Sequence, residues 1–428
     1  VTYTLGHEDV RFVSHKTDPC WIDCGVGVPR HLSDGRLLTT TESGTHRTVL
    51  LGEDEIGFGD RHVAAVLEAD DLGVTVLAYN QPWQLQVVHA NPDGSLIEVS
   101  RADGYASALR SGQYTVVIQH ALDLRIADYS ILRDFKQVAT ITNNATVPPV
   151  NATPQLASVT ETALPSAVLF PEHHTQGSHR LPVIVSIYGG PHHAEVIASR
   201  VHYSTNQWLA NQGFAVVVLD NRGTPGKGPA WERAVAGNLA DPVLEDQVAG
   251  LAAILAQYPD DMDGERVGIR GWSFGGYLTA LAVLERPDVY AAGWSGAPVT
   301  DWKLYDTAYT ERYLGHPADQ AEEYKQSSLG HRASKLERPL TLIHGLADDN
   351  VLAANSLQLS GALLAAGKAH GFLPLAGVSP FRRLRRDRGV DARPRPRRHR
   401  PSLRRRRESF LLWELPIRQP DRPAPLAP

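Results

Sequence analysis

One serine in this chain has neighbours that could make it a nucleophile. Gly271-Trp272-Ser273-Phe274-Gly275-Gly276 sits between a short apolar run, Val267 to Arg270, and a helix-forming stretch from Phe274 to Glu285 that Pro287 stops. G-x-S-x-G between strand and helix is the pattern of a nucleophile elbow. The glycines permit a turn too tight for side chains, which pushes Ser273 out above a sheet. Its hydroxyl then lies near a helix N-terminus, where the Phe274 N–H is placed to hold an oxyanion. Such a serine needs a base, and the base needs an acid to orient it. The acid is expected after another strand: His344-Gly345-Leu346-Ala347-Asp348-Asp349-Asn350-Val351 follows the apolar run Leu340 to His344. A carboxylate just beyond a strand end can hold an imidazole in the right tautomer. His344 itself reads as structural.

The elements that must position these residues form two grammars. Residues 1 to about 145 show short β-rich runs and no helical period. Asp-Gly turns at Asp34-Gly35 and Asp93-Gly94 precede such runs, and Gln81-Pro82 separates Val74–Tyr79 from Trp83–Val88. These are hairpin signals. At roughly 40–50 residues per propeller blade the stretch holds about three, too few to close a ring. Asn143 to Leu164 reads as a linker or edge strands. From there strands alternate with helices: Leu181–Ile187, Phe214–Leu219, a helix capped by Asp241 and running to about Tyr258, then the elbow, and a helix from Val351 to Ala366 before a last strand at Phe372. The expected fold is therefore an α/β hydrolase domain with a mostly parallel sheet, preceded by an incomplete all-β propeller-like domain. The expected boundaries are 1–160, 161–379 and a tail of 380–428.

The segment from about 165 to 379 resembles the peptidase domain of the prolyl oligopeptidase family, in its dipeptidyl peptidase IV-like branch. The strings that carry the resemblance are Tyr188-Gly189-Gly190-Pro191, Asp220-Asn221-Arg222-Gly223, Leu244-Glu245-Asp246-Gln247, GWSFGGY (271–277), Ala297-Pro298-Val299-Thr300-Asp301-Trp302, YDTAYTERY (305–313) and HGLADDNV (344–351). The resemblance implies a serine peptidase that cleaves peptides after Pro or Ala through an acyl-enzyme. It makes Ser273 the nucleophile and Asp348 the acid, and adds the Tyr188 hydroxyl to the Phe274 N–H in the oxyanion hole. It has Asn350 bind a substrate carbonyl, and Val299, Trp302, Tyr305, Tyr309 and Val351 line an apolar pocket. The spacing of Trp302, Tyr305, Tyr309 and Tyr313 also places the four rings on one helical face. A carboxylesterase on the same fold is the alternative enzyme. An inactive chain that binds peptides is the other.

The proton acceptor is where the pattern breaks. In the family the histidine follows the acid by about 32 residues, just after a strand. That count from Asp348 lands on Pro380, so the chain as written is expected to be impaired for want of its triad histidine. There the composition changes: residues 380–428 hold 16 Arg, no Lys, 9 Pro and 5 acidic residues, a balance of +11 against −16 for the rest. Arg and Pro without Lys is what GC-rich coding DNA yields in a shifted frame, so the tail is expected to be out of frame and disordered. His370, near the start of the last strand, is at the wrong end. His399 is in the tail, and His192 and His193 are expected at the site rim. The adjacent pair Glu322-Glu323 reads as a solvated face rather than an amine anchor. Chance free thiols are expected at Cys20 and Cys24, with no metal and no cofactor. No apolar run reaches the roughly 18 residues of a membrane span, and the N-terminus lacks a signal pattern, so a cytoplasmic protein is expected. A chain that opens on Val1 implies unusual initiation or further sequence upstream. The expected partner is a peptide substrate, with a homodimer allowed, no nucleic acid and no membrane.

Overall fold

The computed structural model describes residues 2–3, 10–11, 17–23, 25–43 and 46–379. The tail 380–428, the expected histidine position at 380, His399 and Cys24 lie outside the described residues.

The N-terminal strands form three successive four-stranded antiparallel meanders. The first runs through Arg30–His31, Leu37–Ser43, His46–Leu51 and Asp54–Ile56. The second uses His62–Asp70, Gly73–Gln81, Gln84–Ala90 and Leu96–Glu98. The third uses Tyr105–Ser111, Tyr114–His120, Asp128–Arg133 and Lys136–Ile141. A single parallel pair, Leu85 with Tyr105, joins the second to the third. Both Asp-Gly hairpins form as expected, with Leu32 N–H donating to Arg36 O and Asn91 N–H to Ser95 O. The three meanders make an open, unclosed propeller-like arrangement.

Residues 143–154 carry no regular structure, and an eight-stranded sheet follows. Its order is 155–159, 164–169, 215–219, 181–187, 262–272, 292–296, 340–345 and 371–375. The strand 164–169 pairs antiparallel with both its neighbours, and every other pair is parallel. Gln155–Val159 is the first strand of this sheet and pairs with Leu164–Leu169. The central strands read as unbroken apolar runs because helices cover both faces. Val183, Val185, Val217 and Leu219 pack in the core on one side, with Leu251 of α3 (Asp241–Gln257) and Leu278 of α4 (Phe274–Glu285). Ile184, Val216 and Val218 pack on the other, with Leu209.

Two expected helix starts shift. Asp241 is the first residue of α3, not its cap; the Asn238 side chain accepts the N–H groups of Ala240 and Asp241 instead. The helix expected from Val351 spans Ala354–Ala365, because Asp348 folds Asn350 and Val351 into a turn.

An ionic network joins the blades to the α/β unit. Arg47 Nη2 lies 2.7 Å from Glu232 Oε2, 3.1 Å from Asp23 Oδ2 and 3.4 Å from Glu42 Oε1. Arg233 Nη2 lies 2.8 Å from Glu42 and 3.4 Å from Asp18, and Arg312 lies 3.6 Å from Asp23. At its centre Trp21 is only 7% exposed and packs within the core of the α/β unit, edge-on to Tyr313 at 5.2 Å.

Candidate active site

The elbow is formed. The strand Met262–Trp272 gives way to α4 across a single residue, Ser273, whose φ of 57° and ψ of −118° are far from either element. Such strain in a non-glycine residue persists only where its surroundings hold it. The Ser273 N–H donates to Gly296 O at 2.9 Å, and its carbonyl accepts the Tyr277 N–H. The glycines are there for clearance: a Cβ on Gly276 would sit 2.0 Å from Gly296 O, and one on Gly275 2.2 Å from Ile187 O. Gly276→Ala is accordingly expected to cost at least the ~1–3 kcal/mol of an overpacked core, read as a lower midpoint in urea unfolding.

Tyr188 stands beside the elbow because its strand pairs in register with the elbow strand, Ile187 opposite Gly271. Gly189 then turns the chain at φ +70°. Asn221 Nδ2 donates to Gly189 O at 2.9 Å, and Gln247 Nε2 donates to Asn221 Oδ1 at 2.9 Å. Arg222 grips Asp246 through Nε and Nη2. The strings at 220–223 and 244–247 thus brace the Tyr188 turn, a role that sequence reasoning missed although it singled them out. Asp220, also in that string, is buried and accepts the N–H groups of Glu195 and Val196. Burial lifts its pKa to about 6, against those hydrogen bonds. A folded-state value above the unfolded 3.8 means that its stabilising contribution is full below 3.8 and lost as pH rises through 6. Asp220→Asn is expected to flatten that segment of a pH–Tm curve measured by scanning calorimetry.

Asp348 is buried just past the strand Leu340–Gly345. Its Oδ1 accepts the N–H groups of Asn350 at 3.0 Å and Val351 at 2.9 Å. Burial raises its pKa, with these two N–H groups pulling the other way. His344 has both ring nitrogens engaged: its Nδ1 pairs with Ser356 Oγ at 2.7 Å, and its Nε2 donates to Val351 O at 2.8 Å and lies 3.8 Å from Asp348 Oδ2. His370 precedes the last strand, whose Gly371 pairs with Thr341 at the far end from Asp348. It bonds Ser360 Oγ and Lys368 O. Glu322 is exposed on α6 (Ala321–Ser327), with Lys325 beside it.

The aromatic residues gather, though not on one helix. Trp302 lies in a 3₁₀ turn, Trp302–Leu304; Tyr305 is extended; α5 (Thr307–Leu314) starts anew, capped by Asp306. The break still lets Trp302 stack on Tyr309 at 6.1 Å and Tyr309 meet Tyr305 at 5.3 Å. Phe274 meets Trp302 at 5.6 Å and Tyr188 at 6.2 Å, which ties this ring cluster to the elbow. Asn350 Nδ2 donates to the Tyr305 hydroxyl at 3.3 Å, which ties it to the acid loop. Val299, Trp302 and Val351 are buried behind; Tyr305 and Tyr309 are half-buried and Asn350 is exposed.

Among the described residues, Asp23, His192 and Glu232 bring potential metal ligands within 4.8 Å of one another. The Arg47 guanidinium already bonds Asp23 and Glu232, so a cation occupies that place. Cys20 is a free, exposed thiol.

Residues 200–375 match the sequence model of the Prolyl oligopeptidase family. That part of the chain carries the family's sequence pattern. Dipeptidyl peptidase 8 of Mus musculus is 39% identical over 209 residues, covering 47% of this chain and 23% of that protein; the Homo sapiens protein aligns equally. Human prolyl endopeptidase FAP is 34% identical over 194 residues, covering 44% and 25%. A crystal structure of Porphyromonas gingivalis dipeptidyl peptidase 4 superposes with a TM-score of 0.76 at 26% identity, over 82% of this chain and 52% of that one. A structure of a putative dipeptidyl aminopeptidase IV from Bacteroides ovatus shares the fold, with a TM-score of 0.72 at 22% identity. The matches therefore span about a quarter of the curated relatives and about half of the solved chains. The described residues contain no helix long and apolar enough to cross a membrane.

Proposed function

We propose that this chain carries the catalytic unit of a serine peptidase that cleaves after Pro or Ala near a peptide N-terminus. Ser273 Oγ attacks the carbonyl carbon, the Phe274 N–H and the Tyr188 hydroxyl stabilise the oxyanion, and collapse releases the amine and leaves an acyl-Ser273 ester that water then cleaves. Asp348 is placed to orient the imidazole that accepts the Ser273 proton and passes it to the leaving amine; the position expected for that imidazole, 380, holds Pro in this chain, so turnover by it is expected to be impaired. The residue before the cut bond sits against Tyr305 and Tyr309, and Asn350 donates to a substrate carbonyl. A peptide is the partner, and a homodimer is allowed. The single observation that carries this reading is the strained Ser273 at the N-terminus of α4 with the ring cluster beside it. Among its supports are the names of the relatives, dipeptidyl peptidase 8 and prolyl endopeptidase FAP.

A second reading, peptide binding without turnover, is favoured by one fact: position 380 holds Pro where the base is expected, while His344, its Nε2 3.8 Å from Asp348 Oδ2, gives that nitrogen to Val351 O, and His370 bonds Ser360 and Lys368. Incubation with a tagged fluorophosphonate and, separately, with Gly-Pro-anilide decides between them. Labelling with anilide hydrolysis supports the peptidase; a folded protein that binds Gly-Pro peptides but takes no label supports the second. Faster turnover of short acyl esters than of the anilide would make it an esterase.

A further inference from the structure

The loop after Tyr188 holds a pair of side chains that the mechanism above does not use. His193 Nε2 lies 2.9 Å from Glu195 Oε1, and Glu195 Oε2 lies 3.1 Å from His202 Nε2. Burial opposes the ionised Glu195, yet the two imidazoles hold its pKa well below the usual carboxylate range. The same contact raises the pKa of His202 against its own burial. The backbone beneath is fixed too, since the N–H groups of Glu195 and Val196 each donate to Asp220 at 2.9 Å.

From this anchored position the His193 ring packs edge-on against Tyr188, centroids 4.6 Å apart at 70°. On another side Tyr188 faces Phe274. Gly190 leaves no slack between them: a Cβ there would come within 2.7 Å of Tyr188 Cε1 and 2.9 Å of Phe274 Cγ. A tyrosine that must donate to a developing oxyanion loses its value if its ring can swing, because such donors act through preorganisation. We propose that His193, oriented by Glu195, is a positioning residue that fixes the Tyr188 ring and so aims its hydroxyl at the oxyanion on the Ser273 adduct. The inference rests on the peptidase reading for what Tyr188 does; the clamp itself rests on the contacts alone.

Two measurements on the full chain test it. In the first, the fluorophosphonate labelling rate of Ser273 is compared with the affinity for a competing Gly-Pro peptide. His193→Ala is expected to slow labelling about tenfold, less than the 10²–10³ of deleting an oxyanion donor outright, with peptide affinity unchanged. His193→Gln, whose amide can still donate to Glu195, is expected to restore the rate to within about threefold of the unaltered protein. In the second, ¹³C-tyrosine NMR follows the Tyr188 ring signals, assigned with Tyr188→Phe. They are expected to move in His193→Ala and return in His193→Gln. Unmoved ring signals in His193→Ala overturn the proposal, as does a labelling loss that His193→Gln fails to rescue. If the unaltered protein takes no label at all, the peptidase reading fails, and the NMR comparison still decides the clamp.

Discussion

Ser273→Ala is expected to abolish covalent labelling by a fluorophosphonate; anilide hydrolysis, already low with Pro380 at the position expected for the triad base, is expected to fall little further, because triad deletions do not add. The reason is local. Ser273 is the residue between the elbow strand and α4, and the first N–H groups of α4 have no helix carbonyl to donate to. A hydroxyl there is half-exposed and faces donors suited to negative charge. The substitution removes one oxygen and keeps the backbone, so unfolding free energy should change by less than about 1 kcal/mol, within the range of a mild substitution. Mass spectrometry of the labelled protein is the measurement. Label retained in the Ala variant would move the nucleophile elsewhere and remove the basis for the proposed chemistry.

The second large effect concerns stability. Arg47→Ala is expected to cost about 3–5 kcal/mol, the usual penalty for stripping one partner from buried ions. Arg47 serves Glu232, Asp23 and Glu42 at once, and none of these side chains exceeds 12% exposure. Without the guanidinium, the nearby Arg233 still reaches Glu42 and Arg312 still reaches Asp23, but Glu232 keeps no cation within the network. Arg47→Lys keeps the charge and loses the fork, so it should fall between. The triple change Arg47→Met, Asp23→Asn, Glu232→Gln removes charge and countercharge together and should recover most of the loss. Urea unfolding measures all three. A loss under about 1 kcal/mol for Arg47→Ala would mean that water screens the network.

These two effects differ in how far the sequence announces them. The elbow is legible because its requirements are local: a strand ending at Trp272, three glycines, and a helix stopped before Pro287, all within one short stretch. The central strands are legible for a similar reason, since burial on both faces leaves runs such as Ala215–Leu219 without a polar residue. The ionic network is not, because Asp18, Asp23, Arg47 and Glu232 share no period and meet only after folding. The ring cluster is an intermediate case. Helical spacing brought Trp302, Tyr305 and Tyr309 together for the wrong reason; the Asp306 cap restarts the helix, and the rings converge across the break. The bracing of Tyr188 by Asn221 and Gln247 was hidden in motifs whose presence was plain and whose hydrogen bonds were not.

Trp21 has a consequence for how such a protein can be inherited. Its indole fills core space in a unit whose first strand begins 134 positions later, at Gln155. Cutting the chain in the unstructured connection would leave a vacancy of aromatic size, which costs on the order of 3–5 kcal/mol, and would orphan Glu232 as well. Blades and hydrolase should therefore melt in one transition. Recombination that gave this enzyme fold a new front module would have to supply a replacement wedge and counter-ion with it.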